Sequence, residues 1–194
     1  MNTIGENLKL TVYGESHGVS VGAVLDGLPP GETVDWDEVR REMARRAPGK
    51  NSMSTSRAEG DDFAVQSGYC NGHTTGTPLA VMIANSDVRS GDYDDLRHLM
   101  RPGHADYTGK IRYGGYNDYR GGGHFSGRLT APIVFAGAVA KQILARRGIR
   151  VGAHILQIEK VTDRPFNPLG EEPAVFERLA RETLPVLDKP QAGR

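Results

Sequence analysis

Three short segments of this 194-residue chain gather residue types that move protons or hold anions. The first is Gly14-Glu15-Ser16-His17-Gly18. A histidine on a glycine-flanked turn can donate or accept a proton near neutral pH, here with a serine hydroxyl beside it. The segment also matches the G-x-S-x-G pattern of a hydrolase nucleophile elbow. That chemistry is rejected, because an elbow serine leads straight into a helix, whereas Val19, Val21, Ala23 and Leu25 alternate as in a strand. From these five residues alone, a histidine hydrogen-bonded to hold the turn is the preferred reading.

The second segment is Arg101-Pro102-Gly103-His104-Ala105-Asp106-Tyr107-Thr108, with a permanent cation, another histidine and a carboxylate that can orient a neighbour. A surface turn is an equal alternative. The third runs from Arg120 through Gly121-Gly122-Gly123-His124-Phe125-Ser126-Gly127-Arg128-Leu129 to Thr130. Three glycines let the backbone approach a ligand, and a following helix N-terminus favours phosphate or another anion. It is neither a Walker loop nor a dinucleotide fingerprint, since the lysine and glycine spacing are absent, and Phe125 also reads as a core anchor. Arg40, Arg41, Arg45 and Arg46 close a helix. They read as a solvated face that complements the helix dipole, with Arg46 a candidate for bidentate anion binding. His73, His98 and His154 match no motif and read as structural or exposed.

The elements that position these groups follow from periodicity. Residues 8–12 and 19–25 alternate as two strands around the first turn. Asp35 is a plausible N-cap for a helix with Trp36, Val39 and Met43 on one face, stopped near Pro48-Gly49. Strands are predicted over 63–67 and 79–84, separated by a turn-rich stretch. Residues 85–123 lack apolar periodicity and read as a long functional loop. A helix capped by Thr130 is predicted over 130–147 with Gly148 as its stop, then a strand over 149–158 and a weaker helix over 174–184.

Lysine plus arginine and aspartate plus glutamate both number 24, so net charge offers no general attraction to nucleic acid or an anionic membrane. Neither is an expected partner. The single cysteine, Cys70, forms no internal disulfide, and no histidine–cysteine spacing suits a metal. A reducing cytoplasm is the expected home. No export signal is expected, and no segment is expected to be apolar enough to span a bilayer.

In this order and spacing the segments resemble chorismate synthase. The likeness starts at Asn2-Thr3-Ile4-Gly5 and passes through the first turn, Asp26-Gly27-Leu28-Pro29-Pro30-Gly31 and Arg45-Arg46-Ala47-Pro48-Gly49. It continues through Arg57-Ala58-Glu59-Gly60-Asp61, Ser67-Gly68, Thr74-Thr75-Gly76-Thr77-Pro78, Asn85, Arg89-Ser90 and Asp92-Tyr93, then both later motifs. It fades after residue 161. The resemblance implies an α+β fold, a β-α-β sandwich of which this chain forms about half, with residues 1–194 belonging to a single domain. It implies an anti 1,4-elimination of phosphate from 5-enolpyruvylshikimate 3-phosphate to give chorismate, in aromatic amino acid biosynthesis, using reduced FMN.

The same resemblance implies roles residue by residue. His17 is the acid for the departing phosphate with Ser16 alongside, and His104 sits by the flavin. Arg46 contacts substrate, or NADPH in members that reduce their own flavin, and Arg128 binds substrate anions. His124, Phe125 and Ser126 supply the flavin contact. Two departures stand out. Members often have Arg-Ser-Ser-Ala-Arg-Glu-Thr where this chain has residues 124–130, and a second arginine used for the nicotinamide cofactor is replaced near Ser52. Flavin reduction by a separate system is therefore an open alternative. The family is typically a homotetramer. Its second half has no counterpart before Arg194, as an expressed fragment, a truncated gene or a frameshift would explain. A non-catalytic anion- or flavin-binding remnant is the alternative to an enzyme.

Overall fold

The structure, a computed structural model, describes residues 2–47, 59–86 and 99–188. The expectations placed on Pro48-Gly49, Ser52, Arg57, Ala58, Arg89, Ser90, Asp92, Tyr93 and His98 lie outside the described residues. The chain forms two compact units, Met1–Gln142 and Ile143–Arg194.

Unit 1 is built on a five-stranded antiparallel sheet of β1 (Thr3–Ile4), β2 (Lys9–Gly14), β3 (Ser20–Asp26), β4 (Phe63–Ser67) and β7 (Leu79–Ala84), in the order β1-β2-β3-β7-β4. Residues paired across antiparallel strands share a face. Val21, Ala23 and Leu25 on β3 pair with Ile83, Val81 and Leu79 on β7, so one face is continuous and all six are buried. The turn-rich stretch between β4 and β7 folds into a small hairpin, β5 (Tyr69–Cys70) and β6 (His73–Thr74). Asn71 and Gly72 at its tip both have positive φ, as the favoured two-residue hairpin turn requires. His73 is exposed there, with Nδ1 2.9 Å from the Asn71 carbonyl.

Helix α1 (Trp36–Arg46) starts where the sequence predicts, because Asp35 Oδ1 accepts from the amides of Asp37 and Glu38 at 2.9 and 3.1 Å. Its Val39 and Met43 are buried. Helix α3 (Thr130–Arg146) supplies Phe135, wholly buried, whose ring lies 5.0 Å from Phe63 and 6.1 Å from Trp36. Gln142 clamps the two helices by accepting from the Asp35 amide at 2.8 Å and donating to the Asp35 carbonyl at 3.0 Å.

Four local expectations are corrected. A short helix, α2 (Asp106–Arg112), lies inside the stretch predicted as a loop. Thr130 does not cap α3. Its hydroxyl donates to the Gly127 carbonyl at 2.6 Å, and Ser126 caps a preceding 3-10 turn, Gly127–Leu129, by accepting from the Arg128 amide at 3.3 Å. One helical stretch, Arg120–Arg146, is apolar and long enough to cross a membrane by length and composition, although more than half of that window is buried in the protein as a core helix would be. The strand expected over 149–158 shortens to β8 (Gln157–Ile158), paired with β9 (Val161–Thr162). Residues 149–156 alternate, but no described strand of unit 2 lies beside them, and the Ile149 amide is drawn back to the Leu144 carbonyl at 3.0 Å.

Within unit 2, helix α4 (Pro173–Arg181) follows. His154 is held for structure: its Nδ1 lies 3.2 Å from Asp163 Oδ2 and its ring packs edge-on against Phe166. Asp163 is buried and accepts from the amides of Leu187 at 2.5 Å, Asp188 at 2.9 Å and Arg164 at 2.9 Å.

Candidate functional site

The Gly14–Gly18 segment joins β2 to β3 at one end of the sheet. Gly14 has φ +94, and a Cβ there would meet the Ser20 carbonyl at 2.3 Å, so the reversal needs glycine. Asn85, at the end of β7, pins the turn by donating from Nδ2 to the Glu15 and Gly18 carbonyls, both at 2.9 Å. The Ser16 amide donates to the Gly123 carbonyl at 3.1 Å, and His124 Nδ1 lies 2.8 Å from the Gly14 carbonyl. A carbonyl only accepts, so His124 carries its proton on Nδ1. Ser16 and His17 are buried.

Glycines 121–123 have φ of +57, +84 and +55 and wind tightly before the 3-10 turn. Two of them make room for a histidine ring. A Cβ on Gly121 would lie 2.2 Å from the His17 ring, and one on Gly122 would lie 2.6 Å from the His104 ring. Two neighbouring glycines therefore seat the two candidate catalytic histidines, and the geometry brings His17 and His104 to one turn from distant parts of the sequence.

His104 is oriented by its own motif. Its Nδ1 lies 2.6 Å from Asp106 Oδ1 and 3.3 Å from Arg101 Nη2. An ionised carboxylate only accepts, so the short contact fixes Nδ1 as the donor to Asp106. In the neutral ring, Nε2 is then the acceptor. Arg101 grips the same carboxylate through its amide at 3.0 Å, Nε at 2.8 Å and Nη2 at 3.0 Å. These hydrogen bonds hold Asp106 far below the usual carboxylate range, against the opposing effect of burial.

The two arginines expected at the substrate are both ion-paired within the protein, Arg128 more deeply than Arg46. Arg128, with 2% of its side chain exposed, is ion-paired to Glu59 at 2.9 Å and to Asp61. It also donates to Asn85 Oδ1 at 3.0 Å and to the Ala84 carbonyl at 3.1 Å. Arg128 is thus committed to internal partners as the protein is folded, whereas the resemblance implies contact with substrate anions. Arg46 donates from Nε to Asp61 Oδ2 at 2.7 Å and from Nη1 to Thr130 Oγ1 at 3.2 Å, with 16% of its side chain exposed.

A cavity of about 740 Å³ opens beside the first turn, lined among others by Tyr13, Glu15, Tyr113, Asp118, His124 and Phe125. Phe125 and Tyr113 rings lie 6.2 Å apart at its wall. Its size and aromatic lining fit a planar heterocycle such as a flavin ring, and two of the three expected flavin contacts, His124 and Phe125, face it. The third, Ser126, spends its hydroxyl oxygen on the Arg128 amide. His17 and His104 stand outside the lining. Glu15 is pushed up, first by burial and then by Asp118, to which it is hydrogen-bonded. Asp118 is held low by Arg120, which donates to both its oxygens at 2.9 and 2.8 Å.

Asp61, Asp118 and Asn85 carry this geometry, yet no motif reading assigned them a role. Asp61 has φ +55, uncommon outside glycine. Acidic residues standing in stretches without apolar periodicity were the available signal.

The sequence model describing chorismate synthase matches residues 8–192. A chorismate synthase of Pyrococcus abyssi is 46% identical over 187 residues, covering 92% of this chain and 52% of its own length. That of Thermococcus kodakarensis is 50% identical over 186 residues, with the same coverages. That of Porphyromonas gingivalis is 52% identical over 161 residues, 83% of this chain and 44% of its own. A crystal structure of a chorismate synthase superposes with a TM-score of 0.62 at 27% identity, covering 93% of this chain and 49% of that one. The chain spans about half the length of the relatives it matches.

Proposed function

This chain belongs to the chorismate synthase family, and from that premise we propose that it carries the proton-handling histidines of a carbon–oxygen lyase acting on 5-enolpyruvylshikimate 3-phosphate. In the reaction the carbon–oxygen bond to phosphate breaks with its electron pair leaving on phosphate, a ring proton is lost in the 1,4 sense, and chorismate forms with no net redox change. His17 supplies a proton to the departing phosphate, and Ser16 stands next to it. His104, its tautomer set by Asp106, presents Nε2 as the group that handles a proton at the cofactor. Arg46 is the substrate-facing cation. The observation that supports this reading best is the seating of both histidines on adjacent glycines, Gly121 and Gly122.

FMN is the proposed cofactor, held by His124 and Phe125 at the aromatic cavity, with Ser126 at its margin. When bound, reduced FMN supplies transient electron density that eases phosphate departure. The second arginine that members use for the nicotinamide cofactor is replaced near Ser52, so we assign flavin reduction to a separate system, with NADPH as its electron source. A cytoplasmic, homo-oligomeric enzyme follows the family pattern, a tetramer when complete, with neither nucleic acid nor membrane as partner.

The deciding experiment mixes 5-enolpyruvylshikimate 3-phosphate with the chain under anaerobic conditions and photoreduced FMN, alone and with the remaining half of a relative added. Phosphate release in step with chorismate absorbance supports the proposal. Flavin binding without turnover in either mixture supports a cofactor-binding remnant instead.

A further inference from the structure

A continuous run of hydrogen bonds joins Arg46 to the turn that carries His17. Arg46 Nε donates to Asp61 Oδ2 at 2.7 Å, and Asp61 Oδ1 accepts from Arg128 Nη1. Arg128 Nε donates to Asn85 Oδ1 at 3.0 Å, and Asn85 Nδ2 donates to the Glu15 and Gly18 carbonyls on either side of His17. Asp61 is the central link. Its side chain has no exposure, and its backbone sits in the left-handed region that aspartate and asparagine tolerate better than other non-glycine residues. Each of its oxygens serves a different arginine.

We infer that Asp61 is a positioning residue, aiming Arg46 at the substrate anion from a fixed point relative to His17. An arginine bonded at both Nε and Nη1 has the plane of its guanidinium fixed. Among the described residues Nη2 makes no hydrogen bond, so it is the edge left to meet a ligand. Arg128, braced by Glu59 at 2.9 Å and the Ala84 carbonyl at 3.1 Å, steadies Asp61 in place of touching the substrate itself. Asparagine at position 61 would offer one oxygen to one arginine and turn an NH2 group toward the other. The inference rests on the proposed reading of Arg46 as substrate-facing.

The test is calorimetric titration of the 194-residue chain with 5-enolpyruvylshikimate 3-phosphate, comparing wild type with Arg46→Ala, Asp61→Asn and Asp61→Glu, each shown folded by circular dichroism at the titration temperature. Arginine side-chain NMR in parallel measures exchange of the Arg46 Nε–H, with the Arg120 Nε–H as control. Asp61→Asn is expected to weaken binding roughly tenfold or more, with partial rescue by glutamate, and to speed Arg46 Nε–H exchange alone. Arg46→Ala losing affinity while folded Asp61→Asn keeps it would overturn the positioning role. If Asp61→Asn does not fold, the Arg46 Nε–H exchange of the wild type decides, since exchange faster than that of the Arg120 Nε–H overturns it. If wild type does not bind, or Arg46→Ala binds like wild type, the reading of Arg46 as substrate-facing fails. The Arg46 Nε–H exchange rate then decides whether Asp61 holds the guanidinium: slow in wild type upholds that hold, and fast overturns it.

Discussion

His104 Nδ1 and Asp106 Oδ1 lie 2.6 Å apart, with Arg101 closing on the carboxylate from the other side. Asp106 is held well below the usual carboxylate range, chiefly by the Arg101 side chain. A depressed carboxylate contributes stability that is fully present above its unfolded value of about 4 and is lost as pH falls toward the folded value. The urea midpoint of the wild type should therefore drop between about pH 4 and pH 2. Asp106→Asn should be less stable than wild type at pH 7 and show a shallower acid limb. An equal acid limb in the two proteins would mean that Asp106 does not titrate where its partners place it.

Arg128 faces two buried carboxylates, Glu59 and Asp61. Removing one partner of a buried ionic network leaves charge uncompensated in the interior, typically a loss of about 3–5 kcal/mol. Arg128→Leu should show that loss in urea denaturation followed by circular dichroism. The double variant Arg128→Leu with Glu59→Leu should recover part of it, because Asp61 keeps its ion pair with Arg46. A surface-like change of under about 0.5 kcal/mol for Arg128→Leu would contradict the burial.

The strands 63–67 and 79–84 and the start of α1 were legible because a turn-rich stretch between short runs and a capping aspartate are local signals. The GESHG turn was legible as a turn, and its place between two strands was correct. The reason for Gly121 and Gly122 was not, since a glycine's role against a histidine elsewhere in the chain exists only once the chain has folded. Helix α2 escaped for a different reason. DYTGKIR shows no apolar stripe, and its glycine, Gly109, is there because a Cβ would meet the Phe125 ring at 2.7 Å. The partners of Arg128 were equally out of reach, since only the fold brings Glu59 and Asp61 to it.

Gly121 and Gly122 should give separable phenotypes. Both have positive φ, so alanine is strained there by about 1 kcal/mol or more before any collision. At Gly121 the methyl displaces His17, and at Gly122 it displaces His104. In an enzyme completed with its second half, His17→Ala and His104→Ala should each lower turnover by about 10²–10⁴. Gly121→Ala should disturb the His17 ring resonances in NMR more than those of His104, and Gly122→Ala the reverse. Equal disturbance of both rings by either variant would point to general unfolding of the turn.

In unit 2, Asp163 ties β9 to residues Leu187 and Asp188 through backbone amides. Burial pushes its carboxyl up, but the amides of Leu187, Asp188 and Arg164 outweigh burial and hold it below the usual range. Each buried N–H left without an acceptor costs about 1–3 kcal/mol. Asp163→Ala should raise hydrogen exchange at the Leu187 and Asp188 amides sharply while leaving the Val21 and Val81 amides of the sheet protected. Exchange unchanged at 187 and 188 would rule out this attachment.

Glu15 presents the opposite sign. Burial, and then the neighbouring Asp118, push its carboxyl above the ordinary value, so the folded state is penalised for carrying the charge. The penalty is present at pH above the folded value and vanishes below the unfolded value of about 4.3, where both states are protonated. Glutamine keeps a hydrogen-bond donor toward Asp118 without the charge. Glu15→Gln should therefore raise the urea midpoint at pH 7, and the gain should shrink to nothing as pH falls to about 4. If binding of FMN at the adjacent cavity requires the carboxyl itself, the same variant will be more stable yet bind flavin more weakly, as fluorescence quenching would read directly. A variant less stable than wild type at pH 7 would mean that the Glu15–Asp118 pair holds the turn together more strongly than its shared charge opposes it.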